Sequence, residues 1–143
     1  MRFAGPNRKD LAVPTIFNLL GPLTNPAGAK SQLIGVPNKD LTLKIAQALQ
    51  RLDSSRVLVV HGHDGLCELT VTAPTHIAEL RDDEIREYEV NPIDLGLKKG
   101  NLDDIRIENP EESAEIIKKI FDGTEKGTAR DIALVNAAGA LVV

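Results

Sequence analysis

A short segment in the middle of the chain carries most of the side chains that could do chemistry. His61, His63, Asp64, Cys67 and Glu68 lie within eight positions. Histidine and cysteine bind zinc, but a closed structural zinc site takes four ligands, and this segment offers no clear set. Glu68, with Asp64 as a further candidate, could instead hold magnesium through waters to a phosphate. A glycine follows Asp64, so that carboxylate could equally serve only the geometry of a turn.

A second candidate segment runs from Arg8 to Pro26. The guanidinium of Arg8 is a planar fork of donors that suits a carboxylate or a phosphate, although a lone arginine is commonly a solvated charge. Gly21 and Pro22 permit a flat ligand to approach the backbone closely, or they simply end a helix. The residue types alone leave both alternatives open.

The elements that position these residues follow from apolar spacing and turn residues. Residues 57–60 are apolar throughout, which is typical of a central parallel strand buried on both faces. The pattern predicts strands at 32–36 and 56–60, a hairpin of 75–80 with 85–90, and helices at 16–20 (capped by Thr15), 40–52 (capped by Asp40), 110–121 (capped by Asn109) and from Thr128 as a cap.

This order predicts one α/β domain over residues 1–143, with a mainly parallel sheet flanked by helices. In open α/β sheets the ligand binds beyond the carboxyl ends of the strands. Residues 62–68 follow the central strand and are therefore the leading candidate site. His76, within the predicted hairpin, is expected at the surface.

Composition excludes several classes of protein. Of 143 residues, 42 % are apolar and 27 % charged, unlike a disordered tail, a collagen repeat or a coiled-coil rod. A net charge of -4 argues against a nucleic-acid partner. A single cysteine excludes an internal disulfide, and no apolar run reaches the roughly 18 residues of a membrane span. We therefore expect a cytoplasmic protein without a membrane partner.

Both ends lead us to expect a chain cut from a longer one. Residues 133–143 are apolar nearly all round and stop without a cap. The alternative is a C-terminal helix that is buried within its own domain.

Three segments carry a resemblance to a known family. Residues 14–27 (PTIFNLLGPLTNPA) resemble the signature segment of anthranilate phosphoribosyltransferases. Residues 59–68 (VVHGHDGLCE) are similar to that family's H-G-x-D-G-L-D-E loop, and residues 130–138 (RDIALVNAA) to its R-D-x-x-L-x-N-A-A segment. The likeness keeps its order and covers essentially all 143 residues.

The resemblance implies an enzyme of tryptophan biosynthesis. Such an enzyme moves the phosphoribosyl group of phosphoribosyl pyrophosphate onto the amine of anthranilate, with magnesium, and releases pyrophosphate. The implied fold is a nucleoside phosphorylase/phosphoribosyltransferase-like catalytic domain beside a small N-terminal helical domain, usually in a homodimer. The helical domain, the G-T-G-G-D pyrophosphate loop and the K-H-G-N segment have no counterpart in these residues, so we expect no transferase activity from the isolated chain.

The resemblance also implies roles for particular residues. Arg8 matches an arginine that contacts anthranilate, and Gly21 and Pro22 match contacts along the anthranilate channel. Glu68 matches one of two acidic residues that bind magnesium, and Cys67 stands where the family has the other. Because a thiol is a poor ligand for magnesium, we expect Mg²⁺ binding to be weakened or lost. No residue is predicted to be catalytic, because the implied oxocarbenium-like reaction needs no covalent nucleophile.

Three alternatives to that picture stay open. Through a shifted loop, Asp64 could supply the missing carboxylate. Cys67 and the missing segments also suit a non-catalytic relative that binds an aromatic acid or assists assembly. A different phosphoribosyl- or nucleoside-transferring enzyme of the same fold is the third alternative, and the match over residues 14–27 speaks against it.

Overall fold

The structure, a computed structural model, describes residues 17–143. Its centre is a four-stranded sheet with the strand order β1-β2-β3-β4. The strands are β1 (Ser31–Gly35), β2 (Arg56–Gly62), β3 (Thr75–Arg81) and β4 (Glu84–Val90). The helices are α1 (Phe17–Leu23), α2 (Thr42–Arg51), α3 (Pro110–Asp122) and α4 (Thr128–Val142), with 3-10 turns at Lys39–Leu41, Pro92–Leu95 and Leu102–Ile105.

The α/β class is confirmed, and the strand directions are mixed. β1 and β2 are parallel and are joined through α2, whereas β2–β3 and β3–β4 pair antiparallel within residues 17–143. The predicted hairpin is the reason: Asp82 and Asp83 connect β3 to β4 directly, with positive φ angles of 51° and 64°. No helix lies between β2 and β3, so their connection returns the chain antiparallel.

Each face of β2 packs into a separate hydrophobic core. Its side chains alternate between the two faces of the sheet. Val57 and Val59 pack with Ile45 and Leu49 of α2 on one face. On the other face, Leu58 and Val60 pack with Leu69, Val71, Ile77 and Val135. The expectation of a strand buried on both faces is thus confirmed, and β2 continues through His61 to Gly62.

Two predicted helix caps are wrong. Asn38, not Asp40, caps the turn before α2: it has the extended backbone that an N-cap needs, and its Oδ1 accepts from the Asp40 N–H at 2.9 Å. Thr128 is the first residue of α4 rather than its cap. Its hydroxyl donates to Asp104 Oδ2 at 2.9 Å, which ties α4 to a neighbouring 3-10 turn.

The helix that follows Asn109 runs over Pro110–Asp122, in agreement with its prediction. The helix at Gly21 is longer than predicted. α1 continues through Gly21 and Pro22 to Leu23, while Thr15, the predicted cap, lies outside the described residues. Pro22 removes one N–H donor from α1. At the end of α1, the Thr24 hydroxyl donates to the Leu20 carbonyl at 2.8 Å. None of the helices within residues 17–143 is long and apolar enough to cross a bilayer.

Candidate functional site

The candidate site lies where the 63–68 loop, residues 63 to 68, folds over the sheet. β1 and β2 are parallel, so the loop that follows β2 lies at the carboxyl edge of both strands. Gly35, the last residue of β1, packs against the backbone of Cys67. A Cβ atom at position 35 would overlap the Cys67 carbonyl oxygen and lie 2.8 Å from its carbonyl carbon. The loop therefore lies directly on the end of β1.

Asp64 organises the 63–68 loop from within. Its Oδ1 accepts from the Leu66 N–H at 3.1 Å, and its Oδ2 accepts from the hydroxyls of Thr70, at 2.6 Å, and Thr72. Burial raises the pKa of the Asp64 carboxyl, but the hydroxyl and backbone donors outweigh it, so its pKa lies below the ordinary value. Because both oxygens face the loop, the turn-geometry interpretation of Asp64 is supported. The suggestion that it replaces a metal ligand is not.

Cys67 and Glu68 present a donor set that fits magnesium poorly. Glu68 is exposed and Cys67 is half-buried. Burial, followed by the negative charge of Glu68, raises the pKa of the Cys67 thiol, so it stays protonated at neutral pH. Magnesium takes hard oxygen ligands, and a neutral thiol is not one. Within residues 17–143, no three His, Cys, Asp or Glu side chains come together to hold a metal ion, zinc included.

The two histidines beside the loop are engaged in contacts of their own. His61 Nδ1 lies 2.9 Å from the Val36 carbonyl oxygen, so that nitrogen carries the proton and donates it. His63 Nε2 lies 3.0 Å from Glu89 Oε1, and Lys39 Nζ lies 3.4 Å from the same oxygen. These contacts link the end of β2 to β4 and to the turn after β1.

The expectation that His76 lies at the surface is wrong. Residues 75–78 of β3 are all buried, so side chains on both faces of that strand are covered, and His76 is 6 % exposed. Its Nε2 lies 3.1 Å from Glu87 Oε1 on the neighbouring strand. Its place in the hairpin suggested exposure, but the covered faces of β3 decide the burial.

Asn136 of α4 contacts the end of the loop, and residue types alone did not single it out. Its Oδ1 accepts from the Leu69 N–H at 3.0 Å, and its Nδ2 donates to the Leu69 carbonyl at 2.7 Å. The available signal was its chemistry, since Asn136 is a polar residue in an otherwise apolar run. Leu69 follows Glu68 directly, so this contact fixes the chain beside the predicted metal ligand.

The predicted anthranilate residues lie elsewhere, as far as the structure describes them. Arg8 lies outside the described residues. Apart from its chain neighbours and the backbone of its own helix, no described residue places an atom within 4 Å of a side chain at Gly21. Pro22 lines a cavity of about 190 Å³ with Lys30 and Ser54, at the amino edge of β1 and β2. Since strands rise about 3.3 Å per residue, the length of β1 puts that edge roughly 13 Å from the 63–68 loop.

Comparison with known proteins identifies the family. Residues 1–143 match the glycosyl transferase family, a/b domain. The anthranilate phosphoribosyltransferase of Nitrosomonas eutropha is 49 % identical over the whole chain, and that of Brevibacillus brevis is 51 % identical over 141 residues. The chain covers 42 % and 41 % of those relatives, so it spans less than half of their length.

Solved structures agree in fold. The crystal structure of anthranilate phosphoribosyltransferase from Thermus thermophilus superposes with a TM-score of 0.86 at 40 % identity, covering 98 % of this chain and 40 % of that one. The Saccharomyces cerevisiae enzyme in complex with PRPP and Mg gives a TM-score of 0.83 at 27 % identity, covering 94 % and 39 %. The chain therefore belongs to the glycosyl transferase family and carries that family's α/β domain.

Proposed function

We propose that the chain forms the α/β catalytic part of an anthranilate phosphoribosyltransferase, an enzyme that transfers phosphoribosyl from phosphoribosyl pyrophosphate to anthranilate. The observation that carries the proposal is identity near one half, along the whole chain, to enzymes of that name. The complete enzyme would add the helical domain, form a homodimer and work in the cytoplasm in tryptophan biosynthesis. Residues 1–143 would be one domain of it.

We propose Arg8, Gly21 and Pro22 as the anthranilate-binding residues of this chain. The Arg8 guanidinium would pair with the anthranilate carboxylate, a geometry in which two parallel hydrogen bonds form. The open space at Gly21 would admit an aromatic ring close to the backbone. A relative from Saccharomyces cerevisiae has been solved in complex with 4-fluoroanthranilate, which supports a site for this class of ligand.

We propose Glu68 and Cys67 as the positions that face magnesium. The Saccharomyces cerevisiae relative in complex with PRPP and Mg supports a metal in the reaction of the family. In this chain the pair supplies one carboxylate and one protonated thiol, and Asp64 is turned inward. Magnesium would therefore bind more weakly here than at two carboxylates.

A chimera tests the proposal with the missing parts supplied. The 143 residues replace the matching segment of the Nitrosomonas eutropha enzyme, and phosphoribosyl anthranilate formation is followed as the fluorescence of anthranilate disappears. We expect activity from the chimera with Cys67→Asp, and a lower rate at limiting Mg²⁺ from the chimera that keeps Cys67. A folded Cys67→Asp chimera without activity would overturn the proposed function.

A second candidate function is a non-catalytic relative that binds an aromatic acid, and the neutral Cys67 thiol favours it. In that case both chimeras would bind anthranilate in a calorimeter and neither would turn it over. Arg8→Ala would abolish that binding, whereas Arg51→Ala, a change of the same kind on helix α2, would leave it intact. The isolated chain is expected to form no product, and product formation by it would contradict the need for the missing segments.

A further inference from the structure

We infer that Asn136 is a positioning residue that holds Glu68 and Cys67 in place through the backbone of Leu69. The inference rests on the proposed function only where it treats Glu68 as a metal ligand. Asn136 lies in helix α4, 67 residues after Leu69 along the chain. Its hydrogen bonds go to the backbone of Leu69 and Ile132, so it acts through the peptide that follows the predicted ligands.

The amide group of Asn136 matches one residue's backbone at two points. Its Oδ1 accepts from the Leu69 N–H at 3.0 Å, and its Nδ2 donates to the Leu69 carbonyl at 2.7 Å. Because the Leu69 nitrogen is bonded to the carbonyl carbon of Glu68, the first contact fixes the peptide plane between these two residues. Nδ2 also donates to the Ile132 carbonyl at 2.9 Å, and this third contact fixes which end of the amide faces which partner.

Close packing on both sides gives this contact little freedom. Gly139 lies one turn after Asn136, and a Cβ atom there would come within 2.6 Å of Leu69 Cδ1. On the other side, the backbone of Cys67 lies against Gly35 of β1. The segment 67–69 is therefore held between the end of β1 and helix α4. Asn136 supplies the hydrogen bonds from α4 to this segment.

Cys67 provides the probe, because it is the one cysteine in the sequence. The rate at which Cys67 in the folded chain reacts with a thiol reagent, 5,5′-dithiobis(2-nitrobenzoate), reports how often the segment opens. The test variant Asn136→Asp keeps the shape of the side chain but replaces the donor by an oxygen that faces two carbonyls. The variant Asn136→Leu removes every polar contact. Val135→Ala, a buried neighbour on the same helix, is the control for lost packing.

The expected result is a labelling rate about tenfold above that of the unmodified chain for both Asn136 variants. Asn136→Asp loses the donations to the Leu69 and Ile132 carbonyls, and Asn136→Leu loses all three hydrogen bonds. Val135→Ala should label within about twofold of the unmodified chain under conditions where it stays folded. Rates unchanged in Asn136→Asp would show that the side chain only fills space and would overturn the inference. If the Asn136 variants do not fold while Val135→Ala does, the unmodified chain is labelled in low urea instead. Labelling of Cys67 that requires global unfolding would support the inference. Opening of the segment 67–69 without global unfolding would overturn the inference.

The link to the proposed function needs a second readout. In the active Cys67→Asp chimera, Asn136→Asp should raise the Mg²⁺ concentration for half-maximal rate several-fold. A merely structural loss would reduce the amount of active enzyme and leave that concentration unchanged, which would overturn the positioning role. An inactive Cys67→Asp chimera would refute the proposed function alone, because the labelling experiment does not depend on activity.

Discussion

Replacing Gly35 by alanine tests the packing that places the 63–68 loop on the sheet. The added Cβ atom would overlap the carbonyl oxygen of Cys67 and lie 3.2 Å from its Cβ atom. The overlapped atom is backbone, so no side-chain rotation relieves the contact. β1 and the loop must move apart, and the first consequence is lost stability.

The magnitude follows from the kind of contact. Inserting a methyl group into a well-packed interior costs about 1–3 kcal/mol, and a clash with backbone on both sides belongs at the upper end, about 3 kcal/mol. Unfolding entropy is about 2.1 cal/mol/K per residue, which for this chain gives about 0.3 kcal/mol/K. The melting temperature of Gly35→Ala should therefore fall by about 10 °C.

Differential scanning calorimetry with a matched variant decides this prediction. Gly21→Ala is the same chemical change in helix α1, where no described residue beyond the chain neighbours and the helix backbone has an atom within 4 Å of the new methyl group. Alanine is the better helix former, so this variant should melt at the same temperature or slightly higher. A Gly35→Ala chain that melts within 2 °C of Gly21→Ala, a margin well inside the ~10 °C expected, would refute the packing. Failure of Gly35→Ala alone to fold would confirm a large cost.

Three further outcomes are expected. Asp64→Asn should cost about 1–3 kcal/mol at pH 7 in urea denaturation, because its hydroxyl donors lose a charged acceptor. The Asp64 pKa is lowered on folding, so its stabilisation is complete well above the ordinary carboxyl pKa of 3.8 and is lost as the pH falls through the folded-state pKa. Asp64→Asn should flatten that acid side of the stability profile. Asn109→Ala removes an N-cap whose Oδ1 accepts from the Glu112 N–H at 2.8 Å, and should cost about 1 kcal/mol by calorimetry. Phe121 and Leu141 are each 86 % exposed, so replacing both by glutamate should reduce self-association in sedimentation velocity, and an unmodified chain that sediments as a clean monomer would contradict this.

Local signals were enough for most elements of the fold. The strand at 56–60, the hairpin and the helix begun by Asn109 each depend on residues a few positions apart, and the structure confirms them. The cap at Asp40 failed because Asn38, two positions earlier, competes for the same role with a better backbone angle. The residue at which a helix begins depends on small differences in backbone angle between neighbouring candidate caps. A pattern of residue types does not resolve those differences.

Burial and side-chain engagement depend on contacts between distant segments, and these were not predictable. His76 is buried because both faces of β3 are covered, and its ring contacts Glu87 of β4. Asn136 meets Leu69 across 67 residues of sequence. No spacing rule reaches that far, since the contact exists only after the sheet and helix α4 have packed together.

The packing also separates the polar residues of the candidate site into two groups, a step that residue types could not make. His61 and His63 contact distant parts of the chain, and Asp64 accepts from Thr70 just beyond the loop, so their polar atoms maintain the shape of the edge. Within residues 17–143, no hydrogen bond or ion pair engages the side chains of Cys67 and Glu68, and the backbone around them is held from both sides. A resemblance in sequence pointed to the same two positions. We therefore predict that a ligand at this edge meets one carboxylate and one thiol.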